Sequence, residues 1–145
     1  MPIVLVVDDE SQIRELLVRW ISVAGYEVRE APDALAALEE MQAAPAGIVL
    51  CDVNMPGENG LWLTAQLRSR FPETAIVLAT SDRTVPANIS MQAGVVEYLG
   101  KPFTREEVLK AVRIAAEWHT VAVSERGRTR AADPLTKQWI PSSRD

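Results

Sequence analysis

Short runs of apolar, mostly β-branched residues recur along the chain, and stretches with helical periodicity separate them. An apolar run without polar interruption is typical of a strand that is buried on both faces of a parallel sheet. The alternation of such strands with helices indicates repeated β-α-β units and therefore an α/β fold. The five predicted strands cover residues 3–7, 26–30, 47–51, 75–79 and 96–99.

Five helices are predicted between and after these strands. The first starts near Ser11, which we expect to cap it, and ends at Gly25. The second spans residues 33–41, the third carries apolar residues between positions 61 and 71, and a short fourth lies near 86–93. Thr104 is expected to cap the last helix. We therefore predict one domain over residues 1–120, followed by an extension of the last helix and a flexible linker or tail over residues 121–145.

Composition and charge exclude several classes of protein. Hydrophobic residues make up 48% of the chain and charged residues 24%, as in a soluble globular domain. The net charge of −5 combines −7 on residues 1–120 with +2 on residues 121–145, so we do not expect nucleic-acid binding despite the mildly basic tail. No apolar run is long enough to span a membrane. One cysteine, Cys51, and a start without a signal-peptide pattern predict a cytoplasmic protein.

The residues at the ends of the predicted strands carry the chemistry. Ligands of open α/β sheets bind beyond the carboxyl ends of the strands, where these side chains converge. Clustered acids repel one another unless a cation lies among them, and an all-oxygen donor set favours Mg²⁺. An aspartate beside such a metal can form an aspartyl phosphate, with lysine and hydroxyl groups on the other phosphoryl oxygens. The strand-end residues are Asp8, Asp9, Asp52, Thr80 and Lys101.

Four sequence blocks resemble the receiver domains of two-component response regulators, including those of the chemotaxis type. They are VLVVDDE at residues 4–10, DVNMPGENG at 52–60, Thr80 after AIVLA, and EYLGKPF at 97–103. The resemblance covers about residues 1–120 in order. It implies a flavodoxin-like, doubly wound parallel sheet of five strands in the order 2-1-3-4-5, with five helices.

The resemblance also implies a role for individual residues. Asp52 would accept a phosphoryl group from a sensor histidine kinase or a phosphotransfer protein. Mg²⁺ would be bound by Asp9, Asp52 and the backbone carbonyl of Asn54, with Asp8 acting through a water molecule. Lys101 would pair with the phosphoryl group, and its peptide bond to Pro102 is expected to be cis.

Two further residues would transmit phosphorylation to the surface of the domain as a change in conformation. The Thr80 hydroxyl would move toward the phosphoryl group, and Tyr98 would swing inward behind it. This would shift a two-state equilibrium in the face formed by helix 4, strand 5 and helix 5, through which a homodimer could also form. The downstream effector or output domain cannot be identified from the sequence.

Several positions depart from the pattern of the family or tune it. Ser81 and Val95 stand where the family usually has smaller residues, although neither change removes a reactive group. Asn54 and Asp82 occupy the two positions that influence dephosphorylation in the family, and they predict a short-lived phosphoryl state. His119, the only histidine, is expected to be a surface residue near the end of the last helix.

Two other functions stay open beside the signalling switch. An aspartate-based phosphohydrolase of the haloacid-dehalogenase type would use similar chemistry, but it needs a carboxylate two residues after the nucleophile, where Asn54 stands. Alternatively, the chain is the receiver part of a longer transcription factor or effector enzyme. No helix-turn-helix or catalytic motif follows residue 120, so such an output would have to lie elsewhere.

Overall fold

Five strands and four helices make up the part of the chain that the computed structural model describes, residues 1–81 and 95–131, with side chains in the last helix as far as residue 126. Strand and helix alternate as far as β4. The elements are β1 (Val4–Val7), α1 (Ser11–Val23), β2 (Val28–Ala31), α2 (Ala34–Ala43), β3 (Ile48–Asp52), α3 (Gly60–Arg70), β4 (Ala75–Thr80), β5 (Val95–Gly100) and α4 (Arg105–Ala131).

All five strands are parallel and form one sheet in the order β2-β1-β3-β4-β5. The predicted α/β fold and its strand order are therefore confirmed. The short helix predicted near 86–93 lies outside the described residues, so α4 corresponds to the fifth helix of the prediction. No helix within residues 1–81 and 95–131 has the length and hydrophobicity needed to cross a membrane.

The core is divided between the two faces of the sheet. On one face, strand residues such as Leu5 and Leu78 pack against α2 and α3. On the other face, Val6 and Leu50 pack against α1 and α4. Both faces of the central strands are thus covered, which is why their sequences are apolar without alternation. Burial of both faces leaves the strand ends as the place where polar side chains can collect.

The helix ends follow the expected capping chemistry except at α1. Asp33 accepts a hydrogen bond from the amide of Ala36 (2.8 Å) at the start of α2. Thr104 and Glu107 each accept a hydrogen bond from the other's backbone amide, a complete capping box for α4. The prediction that Ser11 caps α1 is wrong: Glu10 occupies the N-cap position, and no side chain caps the helix there.

Strand boundaries differ from the sequence prediction by one or two residues. β2 begins at Val28 rather than at residue 26, because its pairing with β1 starts opposite Val4. At their carboxyl ends, β3, β4 and β5 each extend one residue further than predicted, to Asp52, Thr80 and Gly100. The ladder therefore includes two of the expected site residues, which fixes their backbone positions.

The last helix continues past residue 120 and is fastened to the opposite edge of the sheet. His119, predicted as a surface residue, is half-buried, and its Nδ1 donates a hydrogen bond to the carbonyl of Glu73 (2.6 Å). Arg126 forms an ion pair with the Glu73 carboxylate. These contacts hold α4 against the loop before β4 as far as residue 126. The domain boundary at residue 120 and the linker beyond it stay predictions.

Gly47 permits this close approach of α4, and replacing it tests the packing. A Cβ atom at position 47 would lie 2.7 Å from Cβ of Pro2 and 2.8 Å from the His119 ring. We expect Gly47→Ala to reduce the free energy of unfolding by about 1–3 kcal/mol, measured by urea denaturation. The loss should be smaller in a His119→Ala background. Equal losses in both backgrounds would contradict the contact between His119 and Gly47.

Candidate functional site

Polar side chains from four strands meet at the carboxyl edge of the sheet. Asp52 and Thr80 are the last residues of β3 and β4. Asp8 and Lys101 follow β1 and β5 directly. Backbone hydrogen bonding between the strands fixes where these residues lie along the sheet edge. Asp52 pairs with Ala79, and the Lys101 amide donates to the Thr80 carbonyl (2.8 Å). The structure thus brings together four of the five strand-end residues that the sequence singled out.

Lys101 is the positive charge at the centre of this cluster. Its Nζ lies 3.1 Å from Oδ2 of Asp52, 3.6 Å from Oδ2 of Asp8 and 3.9 Å from Oε1 of Glu10. Burial by itself lowers the pKa of Lys101, but the hydrogen bond to Asp52 and the three negative charges outweigh it and raise the pKa. Lys101 therefore stays charged and offsets the repulsion among the acids. As expected, its bond to Pro102 is cis.

Both carboxylate oxygens of Asp52 have partners in this arrangement. Oδ1 accepts a hydrogen bond from the backbone amide of Asn54 (3.1 Å), and Oδ2 accepts one from Lys101. Only 4% of the residue is exposed. Two donors on a buried carboxylate fix its orientation. Asp52 is thus an oriented carboxylate at the end of a central strand.

Asp8 is buried more deeply than Asp52, and its ionised form is less favourable than it would be in water. Its Oδ1 accepts a hydrogen bond from the amide of Glu10 (2.9 Å). Burial raises the pKa of Asp8, and the charges of Asp52 and Asp9 add to the rise, while the Glu10 amide and Lys101 oppose it. The net pKa is raised, so the folded protein carries an energetic penalty for ionising Asp8. A further cation near Asp8 would relieve that penalty.

The oxygen donors at this edge fit a hard cation. Asp8, Glu10 and Asp52 each offer a carboxylate oxygen, and the three oxygens lie within 4.8 Å of one another. Such a donor set suits Mg²⁺ better than a soft metal. Asp9 is exposed and does not belong to this group, so its role as a direct metal ligand stays a prediction. Glu10 was missed, although it is the third acid of the sequence DDE.

Asn54 contributes more than the backbone carbonyl expected of it. Its side-chain Nδ2 donates a hydrogen bond to the hydroxyl oxygen of Thr80 (3.2 Å), which is 1% exposed. This bond links the loop after β3 to the end of β4. Sequence reasoning missed it because the two residues are far apart in the chain and the contact depends on the register of the sheet.

The model of the response regulator receiver domain matches residues 4–113, which include all the strands and the whole acidic cluster. The chain belongs to the receiver domain family of response regulators. Receiver domains of this family are phosphorylation-dependent signalling switches of two-component systems.

Two curated relatives and one solved structure illustrate the similarity of this receiver domain to known proteins. It is 29% identical to the C4-dicarboxylate transport transcriptional regulatory protein DctD of Rhizobium meliloti, over 94% of this chain and 30% of that one. It is 34% identical to the response regulator MprA of Mycobacterium leprae, over 97% of this chain and 67% of that one. The chain thus spans less than a third of the length of DctD.

The solved structure is the response regulator TrrA of Thermotoga maritima in complex with Mg²⁺ and BeF. It is 32% identical in sequence, with a TM-score of 0.73 over 79% of this chain and 99% of that one. The receiver fold of this chain is therefore shared with a protein whose structure holds Mg²⁺.

Other residues that the sequence singled out lie at different places in the receiver domain. Tyr98 is half-buried on β5 and packs against the core cluster on the face of the sheet that α2 and α3 cover. Cys51 is buried, and burial raises the pKa of its thiol, so it is an unreactive core residue. Ser81 is exposed and Val95 is buried. Asp82 lies outside the described residues.

The raised pKa of Asp8 predicts that its charge destabilises the metal-free receiver domain. The folded state binds the Asp8 proton more tightly than the unfolded chain, so stability falls as the pH rises through the raised pKa. We expect Asp8→Asn to raise the melting temperature by a few degrees in EDTA at neutral pH, measured by calorimetry.

Asp33→Asn is the matched control for this prediction. Asp33 also accepts a hydrogen bond from a backbone amide, but it lies on the surface at the start of α2, and asparagine caps helices equally well. Its melting temperature should hardly change. A melting temperature of Asp8→Asn below that of the parent would contradict the penalty for ionising Asp8.

Proposed function

We propose that this receiver domain accepts a phosphoryl group on Asp52 from the phosphohistidine of a sensor histidine kinase or a phosphotransfer protein. The observation that carries the proposal is the Asp52 carboxylate at the end of a central strand, with Lys101 Nζ 3.1 Å from one oxygen and the Asp8 carboxylate beside it. Folding alone does not require acids and a lysine to share this edge. A phosphoryl-transfer site does require them.

The transfer follows directly from the position of Asp52. One carboxylate oxygen forms a bond to phosphorus while the bond from phosphorus to the donor nitrogen breaks, and the imidazole keeps the electron pair. Lys101 already lies beside the oxygen Oδ2, so its ammonium group can neutralise charge on the phosphoryl oxygens. Attack of water on phosphorus later releases phosphate and restores the carboxylate. The domain thus returns to its resting state.

Mg²⁺ is the cofactor of this proposal. Asp9, Asp52 and the carbonyl of Asn54 would hold it, with Asp8 acting through water. When bound, Mg²⁺ neutralises charge on the transferring phosphoryl oxygens. The penalty for ionising Asp8 and the group of oxygens from Asp8, Glu10 and Asp52 support a cation at this place.

Thr80 and Tyr98 would report the phosphorylation to the surface. In the resting domain the Thr80 hydroxyl accepts a hydrogen bond from the Asn54 side chain. We propose that it moves toward the phosphoryl group and that Tyr98 swings inward behind it. The surface affected would be the one that the family forms from its fourth helix, fifth strand and fifth helix. In this chain β5 and α4 correspond to that fifth strand and fifth helix. A homodimer through this face is part of the same proposal.

We further propose that the domain has no turnover beyond its own phosphorylation and dephosphorylation. A phosphohydrolase would place a general acid two residues after Asp52, and the side chain there, Asn54, is an amide that bonds to Thr80. We place the domain in the cytoplasm, in keeping with its single, buried and unpaired cysteine. The downstream output belongs to a partner or to a further domain of a longer protein, as in a transcription factor or effector enzyme.

A groove beside the site supports a protein as the phosphoryl donor. It has a volume of about 450 Å³, and its lining is mainly apolar, from Ile13, Leu16, Trp20 and Phe103. Lys101 lines the groove and also contacts Asp52, so the groove lies next to the proposed phosphoacceptor. We propose that the helical segment carrying the donor histidine rests there. A small donor such as acetyl phosphate would not need this surface.

The phosphoacceptor is tested by intact mass after incubation with acetyl phosphate and Mg²⁺. We expect the parent to gain one phosphoryl group, and we expect no gain for Asp52→Asn or for the parent in EDTA. Cys51→Ser, which changes the buried neighbour without touching a reactive group, should still gain it. A full gain in Asp52→Asn would contradict the assignment of Asp52.

The donor groove is tested by comparing two kinds of donor. We expect Trp20→Ala to slow transfer from a histidine kinase that phosphorylates the parent by about tenfold or more, because a buried tryptophan often dominates an interface. Phosphorylation by acetyl phosphate should change little. Trp62→Ala on α3, another half-buried tryptophan, is the control and should slow neither reaction. Equal slowing with both donors would contradict the proposed groove.

A further inference from the structure

Arg14 on α1 joins three parts of the chain around the acidic turn. Its Nη1 donates a hydrogen bond to the carbonyl oxygen of Asp8 (2.7 Å). Its Nε donates to Oε1 of Glu30 on β2 (2.8 Å). The Arg14 side chain is 17% exposed and that of Glu30 is 48% exposed, so the bond to Asp8 is partly buried while the pair with Glu30 reaches solvent. An arginine can make both bonds at once because its donors form a rigid planar fork.

The turn that Arg14 holds is the one that presents the acids of the site. The backbone amide of Arg14 donates to the carbonyl of Glu10 (2.9 Å), and its guanidinium binds the carbonyl of Asp8. Arg14 therefore contacts both ends of the three-residue stretch that contains Asp8, Asp9 and Glu10. Within that stretch, the Glu10 amide binds the Asp8 side chain. Movement of either carbonyl would redirect the carboxylates.

The start of α1 lacks the groups that usually fix a helix end. No side chain caps the helix, and no acidic residue lies in its first turn. The ends of helices are normally held by such groups. Arg14 takes over part of this task from within the helix. Its guanidinium group also places a positive charge next to a turn with three acids. This charge lies at the carbonyl oxygen of Asp8, whereas Lys101 contacts the carboxylate oxygen.

We infer that Arg14 is a positioning residue for the metal: with Glu30, it holds the turn of residues 8–10 in the conformation in which this turn and Asp52 would bind Mg²⁺. This inference rests on the proposed function. Arg14 touches neither the metal nor the phosphoryl group. Its effect is on how tightly Mg²⁺ binds, not on the chemical step once Mg²⁺ is in place.

A second arginine with the same pattern of contacts supplies the control. Arg29 donates to the carbonyl of Ala44 (2.6 Å) and pairs with Glu40 (3.4 Å) at the end of α2, and its side chain is 23% exposed. It therefore resembles Arg14 in burial and in bonding. The carbonyl that it holds, however, does not belong to the acidic turn. Replacing Arg29 therefore measures the loss of stability when an arginine no longer binds a carbonyl and a glutamate, without an effect on the metal.

The test measures Mg²⁺ binding by isothermal titration calorimetry and the rate of phosphorylation by acetyl phosphate as a function of Mg²⁺. We expect Arg14→Gln to raise the Mg²⁺ dissociation constant about tenfold, as loss of groups that orient metal ligands commonly does. The rate at saturating Mg²⁺ should change little. Arg14→Lys should be intermediate, because an ammonium group cannot reach both acceptors in the fork geometry. Arg29→Gln should bind Mg²⁺ like the parent.

The outcomes separate this inference from the proposed function. An unchanged Mg²⁺ dissociation constant in Arg14→Gln, with a loss of thermal stability equal to that of Arg29→Gln, would overturn the positioning role alone. A loss of rate in Arg14→Gln that saturating Mg²⁺ does not restore would also overturn it. Absence of any response to Mg²⁺ in the parent would overturn the proposed function and this inference together.

Discussion

The ammonium group of Lys101 among buried carboxylates is the interaction on which the site depends. Asp8 and Asp52 lie at neighbouring strand ends, and without a cation between them their burial would be costly. Lys101 offsets this repulsion in the resting protein, but the pKa of Asp8 stays raised. Burial is the main cause of this rise, and the charges of Asp52 and Asp9 add to it. A divalent cation at this edge would lower the cost of ionising Asp8 and would allow a phosphoryl group to be added to an already anionic edge.

The sheet makes this concentration of charge tolerable by holding it rigidly. Asp52 and Thr80 lie within the paired region of β3 and β4, so hydrogen bonds to the neighbouring strands fix their backbones. Covered faces on both sides leave the carboxyl edge as the place where polar groups reach solvent. Side-chain hydrogen bonds then link the loops to the rest of the domain: Arg14 binds the carbonyl of Asp8 in the acidic turn, and Asn54 in the loop after β3 binds the Thr80 hydroxyl.

Sequence reasoning found the strands, their order through the family resemblance, and the convergence of Asp8, Asp52, Thr80 and Lys101, because these depend on local hydrophobicity and on a general property of parallel sheets. It failed where contacts depend on three-dimensional register. The hydrogen bonds from Asn54 to Thr80 and from Arg14 to Glu30 join residues that are far apart in the sequence, so no local sequence pattern predicts them. Ser11 was assigned as a cap from its residue type, although Glu10 takes that position.

The central claim is that the carboxylate of Asp52 is the phosphoacceptor of this edge. It is tested most directly by treating the protein with acetyl phosphate and Mg²⁺, reducing the acyl phosphate with borohydride, and locating the product by peptide mass spectrometry. We expect homoserine at position 52 and unchanged aspartate at positions 8 and 9. Reduction at position 8 or 9, or a stable phosphoryl group on His119 with none at position 52, would contradict it.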